Sequence, residues 1–257
     1  MPDSSHNSPP PILSPRGTAF FLDLDGTLAE IVSDPLEARV AQETLDVLAR
    51  LQDATRGAVA VVSGRSLVQL ETMLHPLRLP MAGVHGAELR NGEGVIRRAE
   101  VDSDLLADIV SAVVEFTSLQ RGLLAEAKSG SVALHYRKRP ELETICRDFA
   151  RELAKRDRRI RLLPGKMVIE LTLAQLTKGD AIAEFMTQPP FAGRLPFFAG
   201  DDVTDEAGFG VVNGMLGITV KVGTGATSAN YRLASVREVT RYLAQVLGDR
   251  TEEQGTE

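Results

Sequence analysis

The chain lacks tryptophan, has a single cysteine, and contains no apolar run close to the length of a membrane span. One cysteine cannot form an internal disulfide, which is typical of a reducing cytoplasm. Cys146 falls on the apolar face of a predicted helix, so we interpret it as a core residue. The N-terminal segment is rich in serine and proline and has no apolar stretch typical of a secretory signal. We therefore expect a cytoplasmic protein with no membrane partner.

The chain also lacks an excess of positive charge. Its 35 aspartates and glutamates outnumber 29 lysines and arginines, which gives a net charge of −6 at pH 7. Nucleic-acid-binding proteins usually carry a basic surface, so this balance argues against a nucleic-acid partner. The hydrophobic share of 43% is typical of a globular protein with a sizeable core. The sequence leaves the oligomeric state open.

Short apolar runs alternate with helix-like stretches in the first and last parts of the chain. This alternation predicts an α/β fold with a doubly wound, Rossmann-like parallel sheet covered on both faces. We assign this core to residues 17–101 and 173–248, and expect disordered tails at 1–16 and 249–257. The predicted strands lie at 19–24, 58–62, 81–84, 196–199 and 218–222.

The middle of the chain, residues 102–172, has a different pattern. Two helix-like stretches each precede a pair of strand-like segments, joined by turn residues at Ser129-Gly130 and Pro164-Gly165. The order αββαββ predicts a small antiparallel sheet with both helices on one face. We expect this segment to be an α+β cap (lid) domain inserted into the parallel core.

Two carboxylates follow the first predicted strand, in Asp23-Leu24-Asp25-Gly26-Thr27. Side chains two residues apart share a face of an extended chain, so Asp23 and Asp25 are expected to converge on one point. Two adjacent acids that both remain ionised are typical of a cation site. A motif of this kind standing alone is more often an acidic turn, so the other motifs decide its interpretation.

Three further motifs fall at the ends of predicted elements. Ser63-Gly64-Arg65 follows the second strand, Lys178-Gly179-Asp180 begins a helix, and Gly200-Asp201-Asp202 follows a later strand. Each has a purely structural alternative: a helix-capping hydroxyl, a solvated lysine and an acidic loop. Because ligands of parallel sheets bind beyond the C-terminal ends of the strands, the four motifs together predict one site.

The order of these motifs resembles the haloacid dehalogenase-like phosphotransferases. The resemblance implies phosphoryl transfer through an aspartyl-phosphate, which avoids direct attack of water on a very stable phosphate ester. It implies that Asp23 is the nucleophile and that Asp25 protonates the leaving oxygen and then activates water. It also implies Mg²⁺ held by Asp23, Asp201 and the main-chain carbonyl of Asp25.

The same resemblance assigns supporting roles. Ser63 and Lys178 are expected to hold the transferring phosphoryl oxygens. Asp202 and Asp205 are expected to support the metal ligands, with Asp205 contacting the ligands rather than the ion.

Further motifs are similar to the trehalose-6-phosphate phosphatase family over about residues 18–245. They are Ser63-Gly64-Arg65, the segments 83–88, 126–128 and 131–137, Gly165-Lys166 with Glu170, and the segment 200–206. This resemblance implies that Glu126, Lys128 and Glu170 of the cap bind sugar hydroxyls. It also implies that Gly64, Arg65 and His85 lie at the substrate, which would be a small-molecule sugar phosphate.

The alternation of the cap strands is compatible with that role. Glu126 and Lys128 share one face of a predicted strand, and carboxylates and ammonium groups bind hydroxyls as acceptors and donors. On periodicity alone the same face could simply be solvated. Leu171-Thr172 and Thr177 depart from the Arg-Pro and Asn usual in the family, and the segment 207–209 also departs.

The sequence therefore predicts a Mg²⁺-dependent phosphatase of trehalose 6-phosphate and leaves alternatives open. A related capped phosphatase could act on sucrose 6-phosphate or another sugar phosphate, and a sugar-phosphate mutase would return the phosphoryl group to sugar. A catalytically dead sensor is disfavoured, because the proposed nucleophile Asp23 and its partners are intact.

Overall fold

The computed structural model describes residues 8–32, 34 and 37–249. The strands are β1 (Thr18–Leu22), β2 (Val59–Val62), β3 (Met81–Gly83), β4 (Glu88–Arg90), β5 (Ile96–Arg98), β6 (Leu124–Lys128), β7 (Ser131–His135), β8 (Arg161–Gly165), β9 (Val168–Thr172), β10 (Leu195–Gly200), β11 (Ile218–Val222) and β12 (Tyr231–Leu233). The helices are α1 (Gln42–Ala54), α2 (Leu67–Leu74), α3 (Ser103–Ser118), α4 (Glu143–Ala154), α5 (Lys178–Met186), α6 (Glu206–Gly214) and α7 (Val236–Val246).

The larger sheet has eight strands in the order β12-β11-β10-β1-β2-β3-β4-β5. The pairs from β12 to β3 are parallel, whereas β4 and β5 add an antiparallel edge. The predicted doubly wound parallel sheet is therefore confirmed. The antiparallel edge is an addition that the apolar pattern did not indicate, because Ile96–Arg98 is a short and largely exposed strand.

Alternate residues of β1 pack into apolar cores on opposite faces of the sheet. Both faces of the strand are therefore buried, which explains its apolar sequence. Phe20 and Leu22 pack on one face of the sheet with apolar residues of α1, α2 and α7. Ala19 and Phe21 pack on the other face with apolar residues of α5 and α6. All five residues of β1 are buried, so the strand is fixed in register at the centre of the molecule.

A second sheet of four antiparallel strands is formed by the inserted segment, in the order β6-β7-β9-β8. Helices α3 and α4 pack on it around a separate apolar core that includes Ile109, Val113 and Cys146. Phe116 and Phe149 stack between the two helices with ring centroids 4.0 Å apart. The predicted αββαββ order and the buried position of Cys146 are confirmed, while the limits assigned to the two domains stay a prediction.

The chain before β1 differs from the predicted tail. In residues 8–16, Pro10 is buried, and the Tyr242 hydroxyl donates a 2.8 Å hydrogen bond to the carbonyl of Pro11. The prediction of disorder is wrong here: Leu13 packs against the apolar core that includes α7, although the run of three prolines at 9–11 gives no periodic pattern. Residues 1–7 lie outside the described residues.

The other predicted tail begins at 249. Asp249 accepts two 2.7 Å hydrogen bonds from Arg50 on α1 and so belongs to the folded body. Residues 250–257 lie outside the described residues. Among the residues that the structure describes, no helix combines the length and apolarity required to cross a bilayer.

Candidate active site

Three of the predicted residues lie together at the C-terminal edge of the large sheet. Asp23 directly follows β1, and its main-chain N–H donates a 2.9 Å hydrogen bond to the carbonyl of Ala199 in β10. Ser63 and Asp201 directly follow β2 and β10, the two neighbours of β1. All three side chains are buried, because the sheet and its helices surround this edge.

Lys178 joins two of the acids. Its Nζ lies 2.7 Å from Asp23 Oδ1 and 2.7 Å from Asp205 Oδ1. The residue begins α5, whose first turn is capped by Thr177 through a reciprocal capping box with Asp180. Burial lowers the pKa of Lys178, but the two carboxylates outweigh it and raise that pKa far above its usual value. The ammonium is therefore permanently charged.

Asp23, Asp201 and Asp205 form a compact cluster of carboxylates. One oxygen of each lies within 4.8 Å of the others, and all three residues are buried. Burial raises the pKa of Asp23 well above its usual range, and Asp205 and Asp201 add to this against the opposing effect of Lys178. Burial likewise raises the pKa of Asp201. Burial and mutual repulsion thus oppose the ionisation of these carboxylates, and a divalent cation would relieve both.

Asp205 differs from the other two acids in its partners. Its Oδ1 accepts from Lys178, and its Oδ2 accepts from the main-chain N–H groups of Asp201 (3.0 Å) and Asp202 (2.9 Å). Both oxygens are already engaged with protein donors, so Asp205 braces the acidic loop. The supporting position of Asp205 stays a prediction, and one of its oxygens lies within 4.8 Å of oxygens of Asp23 and Asp201.

Asp25 does not join this cluster. Its carboxylate pairs with Arg65, which donates from Nε and Nη2 at 2.7 Å each. Asp23 and Asp25 line the same cavity but have different partners, because β1 ends at Leu22 and the alternation of a strand no longer applies. Their convergence on one point stays a prediction. Gly26 then turns the chain with a φ of +85°, and a Cβ there would lie 2.2 Å from the Asp201 carboxylate.

Gly64 and His85 are packed against each other. A Cβ on Gly64 would lie 2.7 Å from the imidazole of His85, so glycine is required for this approach. His85 has a left-handed backbone with φ of +55°, and its Nε2 lies 3.6 Å from Glu170 in the cap. The imidazole therefore lies between the core loop and the cap sheet.

Lys128 and Glu170 face the core from cap strands β6 and β9, which lie on either side of β7. Lys128 donates to the carbonyl of Gly64 at 2.8 Å and to Glu170 at 3.0 Å. Glu170 also accepts a 2.7 Å hydrogen bond from Ser131. Burial opposes its ionisation, but Lys128, His85 and Ser131 together lower the pKa of Glu170 far below its usual value. The buried carboxylate is therefore charged.

Glu126 lies on the same face and is more exposed than Glu170. Its carboxylate accepts from Gln69 of α2 at 2.7 Å and contacts His135 Nε2 at 2.8 Å. Burial opposes ionisation, but His135, Lys128 and Gln69 together lower the pKa of Glu126 to about 2. Gln69 and His135 were not among the predicted site residues. The spacing of Ser66 and Gln69 is typical of a capping box and could have identified Gln69 as a residue of the first helical turn. No pattern in the sequence indicates that its side chain also contacts the cap domain.

Lys166 is a further residue that the sequence analysis left without a role. It lies in the turn between β8 and β9 and forms a short ion pair with Asp201 of the core. Asp202 lies beneath the same turn, since a Cβ on Gly165 would lie 3.6 Å from its carboxylate. The cap therefore contacts the acidic loop of the core.

A single cavity of about 490 Å³ joins these groups and has a size typical of small-molecule sites. The core lines it with Asp23, Asp25, Ser63, Gly64, Arg65, His85, Lys178, Asp201 and Asp202, and the cap with Glu126, Lys128, His135, Lys166 and Glu170. The predicted residues therefore lie around one cavity, except Asp205, which supports it from behind. Apolar side chains such as Leu124 and Ile31 complete its mouth.

Known proteins resemble the chain over most of its length. A model of the family described as trehalose-phosphatase matches residues 21–237. A trehalose-6-phosphate phosphatase from Escherichia coli K12 is 42% identical over 228 residues, which is 89% of this chain and 86% of that protein. A probable trehalose-phosphate phosphatase from Sinorhizobium fredii is 40% identical over 212 residues, 80% of this chain and 77% of its own.

The fold likewise resembles solved structures. The C-terminal domain of the C. albicans trehalose-6-phosphate phosphatase superposes with a TM-score of 0.81 at 23% identity. The superposition covers 91% of this chain and 93% of that one. At this identity the likeness concerns the fold alone.

Proposed function

The chain belongs to the trehalose-phosphatase family and is a phosphatase, and from that premise we propose that it hydrolyses trehalose 6-phosphate to trehalose and phosphate. One observation carries the proposal: a single cavity joins the Asp23–Lys178 pair to a cap face bearing Glu126, Lys128 and Glu170. A phosphate ester of a hydroxyl-rich, neutral sugar has the complementary chemistry at its two ends.

Asp23 is the nucleophile in this proposal. Its carboxylate oxygen attacks phosphorus, the bond from phosphorus to the sugar oxygen breaks, and an aspartyl-phosphate forms. Lys178 supports the required ionised form of Asp23 through the 2.7 Å hydrogen bond. Lys178 and Ser63 then bind the phosphoryl oxygens, whose negative charge is spread in the transition state.

Asp25 serves as the acid and the base. It takes up a proton from solvent on one oxygen while the other keeps its hydrogen bond to Arg65, gives that proton to the leaving sugar oxygen, and then regains one from the water that attacks the aspartyl-phosphate. That second step releases phosphate and restores Asp23. Arg65 holds the Asp25 carboxylate through two hydrogen bonds and so fixes its direction.

The acid cluster fits a divalent metal because its three buried carboxylates bring oxygens within 4.8 Å of one another, and burial and repulsion by its neighbours raise the pKa of Asp23. We assign Mg²⁺ to Asp23, Asp201 and the main-chain carbonyl of Asp25, with Asp202 and Asp205 supporting these ligands. When bound, the ion would neutralise charge between the carboxylate and the phosphate.

Recognition of the sugar is assigned to the cap. Glu126 and Glu170 are ionised acceptors, and Lys128 is a donor between them. Bound hydroxyls would replace some of their present contacts with Gln69 and the carbonyl of Gly64. His85 and Gly64 join this face to the phosphate end of the cavity.

The test is a phosphate-release assay with Mg²⁺ on trehalose 6-phosphate, sucrose 6-phosphate and glucose 6-phosphate. We expect the highest kcat/KM on trehalose 6-phosphate. Equal or higher values on either of the others would reject the trehalose assignment. An isomerised sugar phosphate without free phosphate would instead identify a mutase.

A further inference from the structure

Lys221 is a buried lysine beside the acid cluster that the proposed reaction does not use. It lies in β11, next to β10, and is only 5% exposed. Its Nζ donates a 2.7 Å hydrogen bond to the main-chain carbonyl of Asp201. It does not line the cavity, so it cannot touch a substrate there.

A buried ammonium group is unfavourable unless its charge and its hydrogen-bonding capacity are used. The hydrogen-bond acceptor at Asp201 is a neutral carbonyl, which does not by itself explain a buried cation. Glu206 lies near enough for an electrostatic attraction to Lys221, and the carbonyl that Lys221 binds belongs to Asp201 of the buried acid cluster. Lys221 is therefore a second buried cation beside the acidic loop, on the side away from the cavity.

The hydrogen bond from Lys221 is also one of two that hold the main chain of Asp201. The main-chain N–H of Asp201 donates to Asp205 at 3.0 Å, and its carbonyl accepts from Lys221 at 2.7 Å. Both peptide groups that flank its Cα are thus held. With the backbone fixed on both sides, the direction of the Asp201 Cα–Cβ bond is set before any ligand binds.

We propose that Lys221 is a positioning residue for the divalent metal: it fixes the backbone of Asp201, one of the proposed metal ligands. The proposal rests on the metal site of the proposed function. Partners that orient metal ligands from behind typically change metal affinity or activity 10- to 100-fold when they are removed. Lys221 acts through Asp201, without contact to substrate or phosphate.

The experiment is calorimetric titration of Mg²⁺ into the full-length protein after treatment with a chelator, with wild type and Lys221→Met compared. Methionine has a similar shape but no donor and no charge. We expect the dissociation constant for Mg²⁺ to rise about 10- to 100-fold. With saturating Mg²⁺, KM for the sugar phosphate should stay near the wild-type value, because the cap is unaltered.

Thr219→Val is the matched control. Thr219 is fully buried in the same strand, but its hydroxyl binds Asn213 and the main chain of Asn230, away from the acidic loop. This variant should lower the thermal midpoint and leave Mg²⁺ affinity within about twofold of wild type, an ordinary structural effect. Lys221→Gln is a second test variant, because its shorter neutral amide cannot replace the ammonium.

Each outcome decides the proposal. Wild-type Mg²⁺ affinity in a folded Lys221→Met or Lys221→Gln protein overturns it, and so does failure of both variants to fold with or without Mg²⁺. Wild-type protein that binds no Mg²⁺ overturns the metal site of the proposed function instead. If wild type binds Mg²⁺ but is inactive on trehalose 6-phosphate, the substrate assignment fails and the role of Lys221 stands.

Discussion

Arg65 binds both carboxylate oxygens of Asp25, through hydrogen bonds of 2.7 Å from Nε and Nη2. The neighbouring acid Asp23 is bound to a different cation, Lys178. Two aspartates that are separated by one residue in the sequence therefore have separate partners. This separation gives each acid its own environment, as the proposed division into nucleophile and acid–base requires.

Arg65→Lys tests the importance of this pair. Lysine keeps the charge but cannot form the planar two-point contact, so the direction of the Asp25 carboxylate is less fixed. We expect kcat to fall about 10- to 100-fold, because small misplacements of a reacting group have effects of this size. Steady-state kinetics on trehalose 6-phosphate measures it, and an unchanged kcat would contradict the positioning of Asp25 by Arg65.

Asp23→Asn tests the covalent route. An amide is not a nucleophile towards phosphorus, so we expect loss of turnover to the detection limit of a phosphate-release assay. Asp102→Asn is the matched control: Asp102 caps α3 in the cap, and asparagine caps helices equally well. The control should retain full activity. Measurable turnover by a homogeneous Asp23→Asn protein would refute the aspartyl-phosphate.

The sequence predicts which site residues meet at the ends of the parallel strands. Asp23, Ser63 and Asp201 each follow an apolar run, and parallel neighbours end at the same edge, so their proximity follows from the strand pattern alone. The partner of Asp25 does not follow, because the chain leaves the strand at Leu22 and its path depends on Gly26.

Contacts between the cap and the core also could not be predicted from sequence patterns. Glu126 contacts Gln69, and Lys166 contacts Asp201, across segments that are far apart in the chain. Strand alternation indicates which face a side chain occupies, but not how that face is placed over another domain. Similarly, residues 8–16 contact the core through Leu13 and the carbonyl of Pro11, and their apolar residues show no helical or strand periodicity.

The low pKa of Glu170 predicts a pH dependence of stability. Its pKa in the folded protein is far below the usual value of 4.5, so the unfolded chain binds the proton first. This group stabilises the fold above about pH 4.5, and the contribution is lost as the pH falls below that value. Urea unfolding at pH 6.5 and pH 3.5 should therefore show a smaller loss of stability in Glu170→Gln than in wild type.

Glu115→Gln is the control for this measurement, because it removes an exposed carboxylate of α3. It should lose as much stability on acidification as wild type does. Identical acid sensitivity of Glu170→Gln and wild type would show that the buried carboxylate does not stabilise the folded protein.

Glu126→Ala tests the role of the cap in recognising the sugar. Glu126 is a charged acceptor on the cap side of the cavity, and hydrogen bonds to charged groups contribute about 1.5–3 kcal/mol. We expect kcat/KM for trehalose 6-phosphate to fall about 10- to 100-fold, and that for p-nitrophenyl phosphate, which has no sugar hydroxyls, to stay unchanged. The control Glu152→Ala removes an exposed glutamate of α4 and should leave both values unaltered. In the proposal, Glu126 contacts the sugar and not the phosphate. An equal fall in kcat/KM on both substrates would therefore show that Glu126 acts on phosphoryl transfer, which would contradict sugar recognition by the cap.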